Sequence, residues 1–434
     1  MDLTNLSRYK LGTTKKTITS YAGLGLVWGV AKGMRLEEKL NALRLKRRNR
    51  GYKPAETVFT LMGIMQSGGD SLEDVRELDG DEGIRALIGE TPAANTIGEF
   101  LRRFENRTLH GFGRIVLASG VKVIDVMKFK TITLDVDAFT LESQKSSAAM
   151  NYKGEVGFTP IAVSCAELKM PLAGLFRPGN ASPMANIAAL LERVITALPG
   201  KKICVRSDSA GYQAKVIGLC EEKGADFTVT VREDAAVKEA IAAIAESEWR
   251  LYEDSTYPGR VTEIAETVHA FGKKETKAHR MIVLRWRRTE IDLFNTDAYG
   301  YHAVMTSKTM DKAERILAFH RQRQDGSENM NKELIHGYGL SKLPCVEMKA
   351  NAAYFQIALL AMIVMTGMKY LALPDYWRSY TIKTIRRKLI RMAGVIVWHA
   401  RYVWMKIPEI VPHRKVFEDS RWRILGLEAE FARL

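Results

Sequence analysis

The chain has 434 residues, 46% of them hydrophobic, and a formal net charge of +15. That length can hold several domains and a substantial core, and the basic balance favours a polyanionic partner such as nucleic acid. Cys165, Cys204, Cys220 and Cys345 form no Cys-x-x-Cys pair, which argues against a zinc ribbon and suits buried thiols in a reducing cytosol.

Taken in chain order, residues 1–128 read as helical. Met1 to Lys16 lacks the apolar core of a signal peptide. Ser20 to Leu43 carries apolar residues at helical spacing. A basic cluster follows, Arg44, Lys46, Arg47, Arg48, Arg50 and Lys53. It is either a solvated face or a surface that holds phosphates, with Arg47 and Arg48 as candidate DNA contacts. Pro54 to Met65 is a further helix, and Ser71-Leu72-Glu73-Asp74 opens another in capping-box style. Several short helices with polar turns suit a helix-turn-helix-like DNA-binding region or a plain bundle.

From 129 the pattern becomes α/β. Thr131 to Thr140 is a buried strand interrupted by Asp135 and Asp137. Residues two apart on a strand share a face, so these acids are candidates for one cluster, the alternative being a pair of acids at a turn. An acid in an apolar strand needs a neutralising partner, and a divalent cation at the strand end is one. Lys201 to Tyr212 repeats the design, with an apolar strand running into Asp208. Together with the strands near 158–165 and 167–177, the helices 183–198 and 212–223 and the strand 226–231, this is a β-β-β-α-β-α-β order, that of a ribonuclease H-like mixed sheet. Residues 233–306 read as a β-rich insertion with strands near 248–252, 260–270, 278–286 and 301–306. Within it Arg285, Trp286 and Arg287 mix cations with an aromatic. This suits a nucleic-acid surface with Trp286 stacking on an unpaired base, or an edge strand guarded by charge with Trp286 as packing.

Residues 307–372 return to helix. Asp325-Gly326-Ser327 reads as a break, with Ser327 capping a new helix in which Glu328 and Lys332 share a face. The longest apolar run, Ala352 to Met365, contains Gln356 and is short for a membrane span, so it reads as a core helix. Residues 373–434 read as a basic helical region containing Arg378, Lys383, Arg386, Arg387, Lys388 and Arg391, followed by Trp398, Tyr402 and Trp404.

Leu134-Asp135-Val136-Asp137, Tyr152-Lys153-Gly154 with Pro160, Val205-Arg206-Ser207-Asp208-Ser209, and Arg323 to Glu333 with its Glu-Asn pair together resemble the DDE transposases of bacterial insertion sequences. The resemblance extends to Gly68 through Phe104 and covers nearly the whole chain. It implies a catalytic triad and metal cage of Asp137, Asp208 and Glu328, with Asp135 as the alternative to Asp137. It also implies two Mg²⁺ or Mn²⁺ ions, DNA contacts from Arg323 and Lys332, and a β insertion lying over the DNA end. The family pattern is departed from in two places. Phe139 stands where a Thr or Ser is usual; in the third element His320 stands where a Tyr is usual, Arg323 lies one residue further from Glu328 than expected, and Lys332 is closer. The expected activity is metal-dependent cleavage at transposon ends and strand transfer into duplex DNA. The protein is expected to act as a homodimer on DNA in the bacterial cytoplasm, at the nucleoid and away from membranes. The alternatives are a ribonuclease H-like nuclease that cuts without joining, and an inactive, transposase-derived DNA-binding protein.

Overall fold

A computed structural model describes residues 11–45, 51–271, 277–288 and 298–433. Arg47 and Arg48 lie outside these residues. The chain enters through β1 (Thr17–Thr19), α1 (Leu24–Gly33), α2 (Leu36–Asn41), α3 (Pro54–Ser67), α4 (Val75–Asp79), α5 (Glu82–Ile88), α6 (Ala94–Arg102) and the long α7 (Asn106–Val126). The Ser71–Asp74 capping box forms, over a short 3₁₀ turn. These helices pack against the core, with α3, α6 and α7 all lying along α12 (Met348–Gly367). They form a bundle wrapped round one apolar helix.

The central sheet begins with β2 (Thr131–Ala138), whose β-branched and apolar residues are buried on both faces. After three short strands, β3 (Leu141–Glu142), β4 (Ala149–Met150) and β5 (Val156–Phe158), come β6 (Ile161–Cys165), β7 (Met170–Leu175), α8 (Ile187–Thr196), β8 (Lys202–Ser207), α9 (Ala214–Glu222) and β9 (Asp226–Thr230). β2 runs antiparallel to β6 and parallel to β8, and β8 runs parallel to β9. This is the ribonuclease H-like arrangement, and it sets the ends of β2 and β8 side by side.

Next come α10 (Ala235–Ala242), β10 (Arg250–Tyr252), β11 (Thr262–His269), β12 (His279–Arg287) and β13 (Tyr299–Thr306). These strands extend the same sheet. β13 pairs antiparallel with β9, and the full order is β10-β11-β12-β13-β9-β8-β2-β6-β7. The chain leaves at β9 and returns beside it; one face of the added strands joins the main core, and the other packs with residues 313–317 in a second cluster that includes Ile264, Ile282, Leu284 and Val304.

α11 (Ala313–Gly337) is continuous, which corrects the expected break at Asp325-Gly326-Ser327. A glycine inside a helix costs only about 1 kcal/mol, and α11 is held on both sides of Gly326 by packing on β2, β8 and β9. Ser327 is buried mid-helix and caps nothing. α12 is buried almost throughout, and Gln356 inside it donates to the Gly174 carbonyl at 2.7 Å. Among the described residues, Met348–Ala372 alone is long and apolar enough to cross a membrane, and it lies inside the protein.

The C-terminal region departs from the expected run of helices. α13 (Ile382–Ile385) is short, and β14 (Gly394–His399) and β15 (Tyr402–Lys406) form a hairpin before α14 (Arg414–Ala432). The run Val395-Ile396-Val397-Trp398 is β-branched and aromatic, which favours strand over helix. β14 pairs with β1, and α14 packs on α1, so the two ends of the chain interlock.

Candidate active site

Asp135 and Asp137 face α11 from β2. Asp135 is 1% exposed and sits directly across from Arg206 of β8 in the parallel register. The Arg206 guanidinium donates to both carboxylate oxygens, at 2.6 and 2.8 Å, and to the Phe319 carbonyl at 2.6 Å. Such a closed, bidentate pair satisfies both charges internally. Asp135 therefore has its neutralising partner inside the sheet.

Asp137 lies two residues on, at the end of the strand. It accepts from Asn331 Nδ2 at 2.7 Å and from Arg323 Nη1 at 3.3 Å. Burial pushes its carboxyl up to about 6; Arg323 opposes the rise and the charge of Asp208 adds to it. Asp208 follows the end of β8, where its side chain caps a 3₁₀ turn by accepting from the Ala210 amide at 3.0 Å. A Cβ on Gly211 of that turn would come within 2.4 Å of Ser207 Oγ. Glycine thus lets the turn fold back and hold Asp208 beside the strand ends.

Several polar atoms around this point are buried without a partner: Ser207 Oγ, Arg323 Nε, Ser327 Oγ and Asn331 Oδ1. Orphaned buried polar atoms are uncommon in folded proteins and call for a ligand or water. The oxygens among them, with the carboxylates of Asp137 and Asp208, are hard donors of the type that Mg²⁺ and Mn²⁺ take.

Glu328 is on the outer side of α11, exposed, and paired with Lys332 at 3.2 Å. Among the described residues no three His, Cys, Asp or Glu side chains converge closely enough to hold a metal ion. Asp137 and Asp208 thus lie at adjacent strand ends, and Glu328 is one helical turn from Asn331, which touches Asp137. An exposed i,i+4 pair contributes only about 0.3–0.5 kcal/mol, so Lys332 holds Glu328 weakly.

The remaining expected DNA contacts divide. Arg285 is 5% exposed, bonded to Glu263 at 2.7 Å and to Glu246 at 2.6 Å, and stacked on Trp249. Its charge is spent inside the sheet extension, which removes it as a DNA contact. Trp286 is half-buried, with the Arg260 guanidinium 4.0 Å above its ring and the Gly300 backbone against its edge. It packs within the sheet. Arg287 is exposed, near the Tyr299 ring, and Lys332 is exposed beside Glu328.

Sequence reasoning missed two residues of this site as partners of the acids. Arg206 was visible as a cation inside an apolar strand, which needs an anion. Asn331 was visible as the residue three positions after Glu328, on an adjacent face of the same helix.

No curated protein gives a significant match to this chain. Among solved structures it is similar to one described as the cryo-EM structure of the piggyBac transposase synaptic complex with hairpin DNA. The identity is 12% and the TM-score 0.46, over 87% of this chain and 82% of that one. The family model described as transposase DDE domain group 1 matches residues 6–428, nearly the whole sequence, and the chain belongs to the DDE transposases.

Proposed function

We propose that this DNA transposase uses Asp137, Asp208 and Glu328 to cleave phosphodiester bonds at the ends of a mobile element and to join the freed 3′-hydroxyls to target duplex DNA. The observation that carries this reading is the placement of Asp137 and Asp208 at the ends of two adjacent parallel strands. There burial and the nearby charge of Asp208 raise the carboxyl of Asp137, against the pull of Arg323. Glu328 joins them by leaving Lys332 and turning along α11. The side chains present fit Mg²⁺ or Mn²⁺, because Asp137, Asp208 and Glu328 are hard oxygen donors and the oxygens of Ser207 and Asn331 lie unpaired nearby. When bound, two such ions supply activation of the attacking oxygen and charge stabilisation of the leaving one.

The chain's own residues do the positioning that dominates phosphoryl transfer. Asn331 fixes one oxygen of Asp137 and Arg323 the other, which sets the carboxylate plane. Lys332, freed when Glu328 moves, is placed to hold a phosphate. The source is proposed to be a bacterial insertion sequence, with the protein acting as a homodimer on DNA in the cytoplasm.

The test is substitution that keeps shape and removes charge. Asp137→Asn, Asp208→Asn and Glu328→Gln should each lower Mg²⁺-dependent cleavage of DNA carrying the element's ends by at least about 10³-fold, with duplex binding retained within about threefold. Normal cleavage by Glu328→Gln would remove that residue from the site. Normal cleavage by Asp137→Asn would overturn the assignment of the strand-end acids. Joining of a labelled 3′ end to a target duplex separates a transposase from a nuclease.

A further inference from the structure

A cleft of about 670 Å³ lies between the second half of α11 and residues 368–383, and Lys332, the partner of Glu328, lines it. Lys332 and His336 enter it from α11, and α11 rises about 12 Å from Glu328 to His336. The opposite walls carry Lys169, Lys369, Arg378 and Lys383. Against these cations stands one carboxylate, Glu333, and its Oε1 is already occupied by the Ile382 amide at 2.6 Å.

Lys332 is paired with Glu328 and Arg378 with Asp375, which leaves three lysines without a bonded partner. Lys169, Lys369 and Lys383 make no side-chain hydrogen bond or ion pair among the described residues. Lys369 is half-buried; that burial pushes its ammonium down, the Glu333 carboxylate opposes the shift, and Lys169 adds to it. The backbone reinforces this convergence. Lys369 sits on a π-helical turn, Met368–Ala372, that widens the end of α12, and Lys169 is held at a left-handed φ of 48°. Wide π turns and left-handed non-glycine residues cluster at functional sites. Arg378 bonds to Asp375 at 2.7 Å, yet its Nε is buried without a partner. The floor is different in kind, being Leu168, Met362, Met365 and Ile382, with Tyr370 and Tyr380 beside it.

Converging unpaired cations need an anion, and an apolar floor edged by tyrosines needs a flat, largely apolar group. A phosphate alone would leave the floor bare, and an acyl chain would leave the cations unmet. We propose that this cleft takes one unpaired nucleotide of the DNA strand next to the scissile phosphate. Its phosphate lies on Lys169, Lys369 and Lys383, and its base on the apolar floor. A duplex cannot enter a space of this size, so the cleft selects for a frayed or extruded nucleotide. The inference rests on the reading that Glu328 marks the cleavage site.

The experiment measures binding of the full chain, in EDTA to prevent cleavage, to a blunt duplex and to the same duplex with a short single-stranded oligothymidine tail. The tail should tighten wild-type binding about tenfold. Lys369→Met, which keeps most of the stem and removes the charge, should cut that preference to about twofold or less while blunt-duplex affinity holds. Lys383→Gln, near the rim, provides a second variant should Lys369→Met melt early. Absence of a tail preference in the wild type overturns the proposal, as does a preference that survives both substitutions. Loss of the preference to excess thymidine monophosphate is expected if the cleft holds a nucleotide. Wild-type Mg²⁺-dependent nicking is measured in parallel: nicking without tail preference defeats the cleft alone, and absence of both nicking and duplex binding defeats the catalytic reading as well.

Discussion

Asp135 and Asp137 are two residues apart, on one face of one strand, and have opposite fates. Asp135 is locked to Arg206; Asp137 is left at the strand end with Asn331, Arg323 and a second acid. A similar contrast of surroundings shapes His320, whose ring is held between Thr228 Oγ1 at 3.0 Å and Thr230 Oγ1 at 2.9 Å. Burial pushes its pKa down to about 3, so it is neutral in the folded protein. Between pH 3 and 6.5 the unfolded chain binds a proton here and the folded chain does not, so stability falls as pH drops through that window and is fully present above it. From pH 6.5 to 5 the wild type should lose about 2 kcal/mol more than His320→Gln, measured by urea unfolding at each pH. The acids themselves were legible in the sequence, because carboxylates stand out in apolar strands. Their partners were not, since Arg206 and Asn331 become neighbours of those acids only through strand register and helix phase.

At the scale of elements, α11 shows how packing overrides a local signal. Asp-Gly-Ser reads as a break, yet burial of Ser327, Met330, Asn331 and Leu334 on one side carries the helix through. The sheet extension shows the same principle in strands. Its strands were legible from alternation, but their continuity with β9 rests on pairing that no local pattern encodes. Trp286 follows from that pairing. Trp286→Ala should cost about 2–3 kcal/mol of stability by loss of packing beneath Arg260. Gly300→Ala should destabilise in the same direction, because its Cβ would meet the indole at 2.7 Å. Thermal melting checks both, and cleavage per folded molecule should stay within about threefold for each, as expected of packing residues.

At the scale of the whole molecule, hydrogen bonds cross between the five regions that the sequence pattern suggests. Arg386 donates to the Met65, Gln66 and Gly337 carbonyls, and Arg391 to the Ser67 carbonyl, so part of the basic C-terminal run caps α3 and α11. Buried caps and solvated cations share one residue type, so the sequence alone does not tell them apart. The helical fragment 1–128 should therefore fail to fold alone, giving little dispersion in an amide NMR spectrum. The full chain should resist limited proteolysis near residue 129. A well-dispersed spectrum from the fragment would show it to be an independent domain.

The pairing of β1 with β14 has a consequence in time. Thr17 waits for Ile396, a separation of 379 residues (396 − 17), and at about 5–20 residues per second synthesis takes roughly 20–75 s to cover it. During that interval the first strand has no edge to join, and α3 lacks the arginines that close its end. A framework closed by residues made so much later keeps its first strand and the end of α3 open for the whole of that interval.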